Sequence, residues 1–189
     1  VSTPVLHLLA GPNGAGKTTF VERILAPVTG LPFINADVIA AQTWPGAEAE
    51  HAYEASRAAA QRRQELLHER VSFISETVFS HPSKVELVRQ ATACGYLVRL
   101  HVVLVPVELS VARVAERVVR GGHDVPETKI RERHARLWTC VVQAREDADR
   151  TVFYDNSVAA QPFREVARYV EGRPMGTPGW PRWAPDELR

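Results

Sequence analysis

The stretch Gly-Pro-Asn-Gly-Ala-Gly-Lys-Thr-Thr at 11–19 constrains this chain more than any other. It follows a short apolar run, Val5-Leu6-His7-Leu8-Leu9-Ala10, and leads into a helix-forming segment that begins at Lys17. A buried strand, a glycine-rich turn and a helix are thereby fixed in that order, which is the opening of an α/β fold. Gly11, Gly14 and Gly16 let the backbone turn tightly and point its N–H groups inward. The helix that follows adds the positive end of its dipole. The pattern G-x-x-x-x-G-K-[ST] places a lysine to reach β- and γ-phosphates and a hydroxyl, that of Thr18, to ligate Mg²⁺. The expected ATP-binding residues are Gly11, Pro12, Asn13, Gly14, Ala15, Gly16, Lys17, Thr18 and Thr19.

The bulk properties narrow the setting. A chain of 189 residues suits one α/β domain with a proper core. The net charge of +1 supplies no global field toward nucleic acid or an anionic membrane, so neither is expected as a partner. No apolar run reaches the ~18 residues of a membrane span, and the first residues lack the basic and apolar regions of a signal peptide. The expected location is the cytoplasm. Cys94 and Cys140 match no zinc spacing and read as buried or half-buried thiols.

Strands and helices alternate along the chain. Strands are expected at Val5–Ala10, Leu31–Asn35, Val71–Thr77, Tyr96–Val105 and Thr151–Asp155. Helices are expected from Lys17 to about Ala26, from Ala47 to about Arg70, over Ser83–Ala93 and Val107–Arg120, from Pro126 or Glu127 to about Asp147, and from Pro162 to about Val170. Such alternation predicts a parallel sheet covered on both faces. The domain is expected to span 1–171, with a lid at about 113–136. A Pro/Gly/Trp-rich tail follows at 172–189, whose Trp180 and Trp183 are expected to pack on the body.

A bound phosphate can be hydrolysed or handed on. Hydrolysing switches and motors carry an apolar strand ending in Asp, and the nearest match here, Thr151–Asp155, lies very late. Phosphate transfer fits better. Asp37 follows the second short strand, at the carboxyl rim where ligands sit in this fold class. From spacing alone it serves equally as an acceptor of a hydroxyl proton or as a cap for a helix beginning near Val38. Glu76 and Thr77 end the third strand on the same rim. Glu76 reads either as a ligand for an acceptor hydroxyl or a Mg²⁺-bound water, or as an exposed strand-end charge. The lid segment holds Arg113, Arg117, Arg120, Arg131, Arg133 and Arg136 around Gly121-Gly122-His123-Asp124. Arginine stabilises charge on a transferring phosphoryl group. Arg117, Arg131 and Arg133 are the favoured catalytic set, with Arg120 as an alternate phosphate ligand and His123 as a lid-tip contact or an exposed loop histidine.

Taken in order, Ala-Gly-Pro-Asn-Gly-Ala-Gly-Lys-Thr-Thr at 10–19, Ile-Asn-Ala-Asp-Val-Ile-Ala at 34–40, Phe-Ile-Ser-Glu-Thr-Val-Phe-Ser at 73–80, Arg-Val-Val-Arg-Gly-Gly-His-Asp-Val-Pro at 117–126 and Phe-Tyr-Asp-Asn-Ser at 153–157 resemble the zeta toxin family of P-loop kinases. The resemblance implies a three-layer α/β/α P-loop kinase with a mainly parallel five-stranded sheet and a helical arginine-bearing lid. It implies a cytosolic enzyme that uses ATP and Mg²⁺ to phosphorylate the sugar 3′-hydroxyl of UDP-N-acetylglucosamine, restrained by a helical antitoxin, here expected as a separate protein. Lys17 and Thr18 would then hold ATP and Mg²⁺. Asp37 would be the base, and Asn35, Asp37, Glu76 and Thr77 would form the acceptor site. Glu76 would also reach the metal through water. Arg117 and Arg131 would clamp the phosphates. The lid wording Gly-Gly-His-Asp-Val-Pro and the compact acceptor region depart from the Gram-positive toxins. An antibiotic or nucleoside kinase and a partner-regulated P-loop ATPase are the rival readings.

Overall fold

The computed structural model describes residues 2–122 and 124–189; His123 lies outside them. Strands β1 (Val5–Ala10), β2 (Phe33–Ile34), β3 (Phe73–Thr77), β4 (Leu97–Leu104), β5 (Arg150–Asp155), β6 (Arg164–Val170) and β7 (Arg173–Pro174) form one sheet in the order β2-β3-β1-β4-β5-β6-β7. The first five run parallel to one another, while β6 pairs antiparallel with β5 and β7 antiparallel with β6.

The helices are α1 (Lys17–Phe20), α2 (Ala26–Thr29), α3 (Ala36–Thr43), α4 (Ala52–Glu69), α5 (Ser83–Ala93), α6 (Val107–Val119) and α7 (Glu127–Asp147). A π-helical turn at Val21–Leu25 joins α1 to α2, so the chain stays helical from the phosphate loop to Gly30.

Both sheet faces are covered, and β1 shows why. Leu6, Leu8 and Ala10 belong to the large core cluster with Leu66, Val88 and Val141 from α4, α5 and α7. The alternate residue Leu9 packs with Phe20, Val21 and Leu25. A strand buried on both sides reads as a continuous apolar run because period 2 sends its residues to two cores.

Two expectations are corrected here. The sheet has seven strands, not five, because the segment expected as a last helix is strand β6 and the start of the expected tail adds β7. Cys140 is buried as expected, but Cys94 is exposed at the end of α5. Trp180 and Trp183 pack against the main core, Trp180 with its ring at 80° to Phe153 and 5.0 Å from it. Among the described residues, no helix is long and apolar enough to cross a membrane.

Candidate active site

The phosphate loop is held open by its glycines. Gly16 has φ 92°, and a Cβ there would lie 2.7 Å from the Asn156 side-chain nitrogen; a Cβ on Gly11 would meet the Val103 carbonyl oxygen at 2.5 Å. Asn156, just past β5, ties the loop down by donating to the Ala15 carbonyl at 2.8 Å and accepting from the Phe163 N–H at 3.3 Å. From α6, Ser110 donates to the Asn13 carbonyl, and Arg113 donates to the carbonyls of Gly14 and Asn156.

Lys17 is only 6% exposed. Its ammonium donates to the Pro12 carbonyl at 3.0 Å and lies 3.8 Å from Glu76. Burial pushes this ammonium below the usual lysine range; Glu76 and Asp37 pull it back up, and Arg117 adds to the lowering. Those influences put Asp37, Glu76 and Arg117 around one buried cation.

Glu76, with its side chain 12% exposed, is the hub. One oxygen accepts from the Thr18 hydroxyl at 2.8 Å and from the Asn35 side-chain amide at 2.8 Å, and the other faces Lys17. The strand-end charge reading of Glu76 is thereby replaced by a half-enclosed, fully engaged carboxylate. Asn35 also removes the capping reading of Asp37. Its side-chain oxygen accepts from the N–H groups of Asp37 and Val38, so Asn35 caps α3 and the Asp37 carboxylate is not the cap.

These groups line one cleft of about 560 Å³. Of the expected site residues, Asn13, Gly14, Gly16, Lys17, Thr18, Thr19, Asn35, Asp37, Glu76, Thr77, Arg117 and Arg133 line it. Gly11, Pro12 and Ala15 support the loop without lining the cleft. Arg131 is elsewhere: it lies 41% exposed, forks onto both Glu108 oxygens at 2.7 and 2.8 Å, and pairs with Glu127 at 2.8 Å. Arg120 is exposed and pairs with Glu116 one helical turn away. Neither is among the cleft-lining residues.

Three cleft cations were not singled out from the sequence: Arg63, Lys84 and, within the lid set, Arg113. Arg63 hides in a helix chosen on propensity alone. Its signal was there, since Ala52, Ser56, Ala59 and Arg63 fall on one helical face and three of the four are small.

The residues fit a nucleotide with its metal. The glycine cradle leaves no room for side chains, and the Thr18 hydroxyl beside the Glu76 carboxylate is an all-oxygen pair suited to Mg²⁺. Among the described residues, no group of three or more His, Cys, Asp or Glu could hold a metal by itself.

The family model described as Zeta toxin matches residues 1–165. The chain belongs to the zeta toxin family. Solved structures agree on the fold. The toxin–antitoxin system PezAT of Streptococcus pneumoniae matches at 18% identity and TM-score 0.62, covering 82% of this chain and 68% of that one. AvrRxo1-ORF1:-ORF2 with ATP matches at 19% and 0.64, covering 92% of this chain and 60% of that one. Shikimate kinase from Acinetobacter baumannii, solved with shikimate, matches at 24% and 0.52, covering 84% and 87%. No curated protein matches the chain. This zeta toxin family member is thus a P-loop kinase in fold, with a seven-stranded mixed sheet where those five parallel strands were expected.

Proposed function

We propose that this chain is an ATP-dependent kinase that phosphorylates a hydroxyl of a nucleotide sugar such as UDP-N-acetylglucosamine. In this reading it is the toxin of a toxin–antitoxin pair. The observation that carries the kinase part is the single cleft shared by Lys17, Thr18, Asp37 and Glu76. A phosphate-binding loop and a carboxylate that has no side-chain hydrogen bond among the described residues open into the same space, which is what transfer requires and simple nucleotide holding does not. Membership of the zeta toxin family supports the choice of acceptor.

The reaction divides among named groups. Asp37 accepts the proton of the acceptor hydroxyl as its oxygen forms a bond to the γ-phosphorus. The bond from that phosphorus to the bridging oxygen breaks, and ADP leaves with the electron pair. Lys17 meets the phosphate charge from the loop side, and Arg117 and Arg133 meet it from α6 and α7. Arg131, paired with Glu108 and Glu127, drops out of this set. Mg²⁺, held through Thr18 and the neighbourhood of Glu76, would neutralise phosphate charge. Asn35 and Glu76 hold each other, which fixes the start of α3 and so aims Asp37. The segment carrying α6 and α7 acts as the lid that excludes water.

The test is a reaction with ATP, Mg²⁺ and UDP-N-acetylglucosamine followed by mass spectrometry. A product heavier by one phosphoryl group is expected. ATP consumption with an unchanged sugar nucleotide would redirect the search to antibiotic or nucleoside acceptors, and protein-stimulated ATP hydrolysis alone would favour the partner-regulated ATPase.

A further inference from the structure

The cleft cations fall into two groups on opposite sides of the phosphate loop. Arg113, Arg117 and Arg133 belong to α6 and α7, which follow β4. Arg113 is already bonded to the loop carbonyl of Gly14. Arg63 and Lys84 belong to α4 and α5, which flank β3 in sequence. In the strand order β2-β3-β1-β4-β5, β3 and β4 lie on either side of β1, the strand that feeds the loop. The second group is therefore on the Asp37 side, away from the arginines that serve the nucleotide.

Arg63 and Lys84 have no neutralising partner among the described residues. Arg63 is 7% exposed, yet among the described residues neither its guanidinium nor the Lys84 ammonium has a hydrogen-bond or ion-pair partner. The carboxylates nearby in sequence are engaged otherwise, Glu65 with Arg62 and Gln61, and Glu86 with Gln90. Each cation feels the cost of its place: burial pushes both below their usual ranges, and Arg63 lowers Lys84 further. A fold does not keep two desolvated, mutually repelling cations for its own stability. The groove leading to them is also shaped for a ligand, because Ala52, Ser56 and Ala59 precede Arg63 on the same face of α4 and leave space.

We propose that Arg63 and Lys84 form an anion subsite for the acceptor, so that the molecule phosphorylated here carries a phosphate or carboxylate group besides its reacting hydroxyl. The anion sits between α4 and α5 and the hydroxyl reaches Asp37. The assignment rests on the kinase reading. It excludes neutral antibiotics and unphosphorylated nucleosides, and it admits nucleotide sugars and hydroxy acids. The two bases of selection differ in chemistry: a diphosphate offers several oxygens to both cations, and a carboxylate offers a two-oxygen edge to the Arg63 fork.

The test is calorimetric titration of inorganic pyrophosphate, and separately of shikimate, into protein saturated with Mg²⁺ and a non-hydrolysable ATP analogue, which occupies the phosphate loop. Pyrophosphate is expected to bind wild type, to compete with UDP-N-acetylglucosamine, and to bind about tenfold or more weakly to Arg63→Gln and to Lys84→Gln. Affinity for the ATP analogue should stay within about twofold, and Arg63→Lys should recover part of the pyrophosphate affinity. Binding of shikimate alone with the same dependence on the two residues also upholds the subsite and assigns it to a carboxylate. Both Gln variants should melt at or above the wild-type temperature, because an unpaired charge has been removed from a buried (Arg63) or half-buried (Lys84) place; a clear loss of stability in both would speak for a structural role. If Arg63→Gln does not fold, Lys84→Gln and Arg63→Lys carry the comparison. Binding of the ATP analogue with no anion binding, or with anion binding unaffected by the substitutions, overturns the subsite and leaves the kinase reading standing. Failure to bind the ATP analogue overturns the kinase reading and the acceptor assignment with it.

Discussion

At the scale of single residues, the cleft separates groups that line it from groups that only hold shape. Arg117 and Arg131 make the contrast sharpest, because they sit on consecutive helices of the same basic segment. Arg117 lines the cleft and influences Lys17, whereas Arg131 is spent on Glu108 and Glu127. Arg117→Gln is expected to lower phosphate transfer by roughly 10²–10³, the usual loss when one donor to a developing anion is removed. Arg131→Gln should leave the rate within about twofold, since exposed pairs contribute little. Steady-state rates on the two variants check both. The sequence did not separate these arginines, because which helical face each occupies depends on where α6 and α7 meet the sheet. Asp37 and Glu76 were legible as candidates, since Asp37 follows one short strand and Glu76 lies at the end of another, and the carboxyl rim of a parallel sheet is where ligands bind. That Asn35 rather than Asp37 caps α3 turned on a shift of helix start from Val38 to Ala36, which propensity does not resolve.

At the scale of elements, β6 is the instructive departure. Phe163, Val166, Ala167 and Val170 stand at spacings of three and four, which reads as one helical face. In the strand, Phe153 pairs with Ala167 and Tyr154 with Glu165, so Val166 is an extra residue opposite that step. The bulge breaks period 2 and lets Val166 and Ala167 both be buried. A helical pattern and a bulged strand are the same string of letters. The five parallel strands and the long helices carried no such ambiguity, because each is a buried apolar run or a long helix-forming run. The turn between β5 and β6 also bears on the site. Asn156 joins the Ala15 carbonyl to the Phe163 N–H. Asn156→Ala is expected to cost about 1–3 kcal/mol, because it leaves both backbone groups without that partner, and to weaken ATP binding through a loosened loop. Urea unfolding and nucleotide titration of the variant test this pair of effects. Gly16→Ala should be harsher still, since it forces a side chain onto a φ of 92° and into Asn156.

At the scale of the whole molecule, stability is tied to pH through the core. His7 on β1 and His101 on β4 stack at 7°, with Nδ1 of the first 3.0 Å from Nε2 of the second. Burial holds His7 down to about 4 and His101 to about 3, with Arg99 adding to both and His7 to the second. Their folded values lie below the ordinary 6.5, so the unfolded chain takes up protons first as pH falls. The stability these neutral rings allow is complete above about pH 6.5 and drains away toward the folded values. The urea midpoint should therefore fall between pH 7 and pH 5, above the range where carboxylates titrate. A double His7→Leu, His101→Leu variant that folds should show a smaller drop over that interval; an equal drop would place the effect elsewhere.

The same whole-molecule view holds the central claim, that one cleft brings a phosphate donor and a hydroxyl acceptor together at Asp37. The most direct measurement compares wild type with Asp37→Asn in ATP binding and in transfer to UDP-N-acetylglucosamine, read by mass spectrometry. Transfer should fall by roughly 10²–10⁴ while ATP binding is retained, because only the proton acceptor has been removed. Full transfer by Asp37→Asn, or loss of ATP binding together with transfer, would contradict the account.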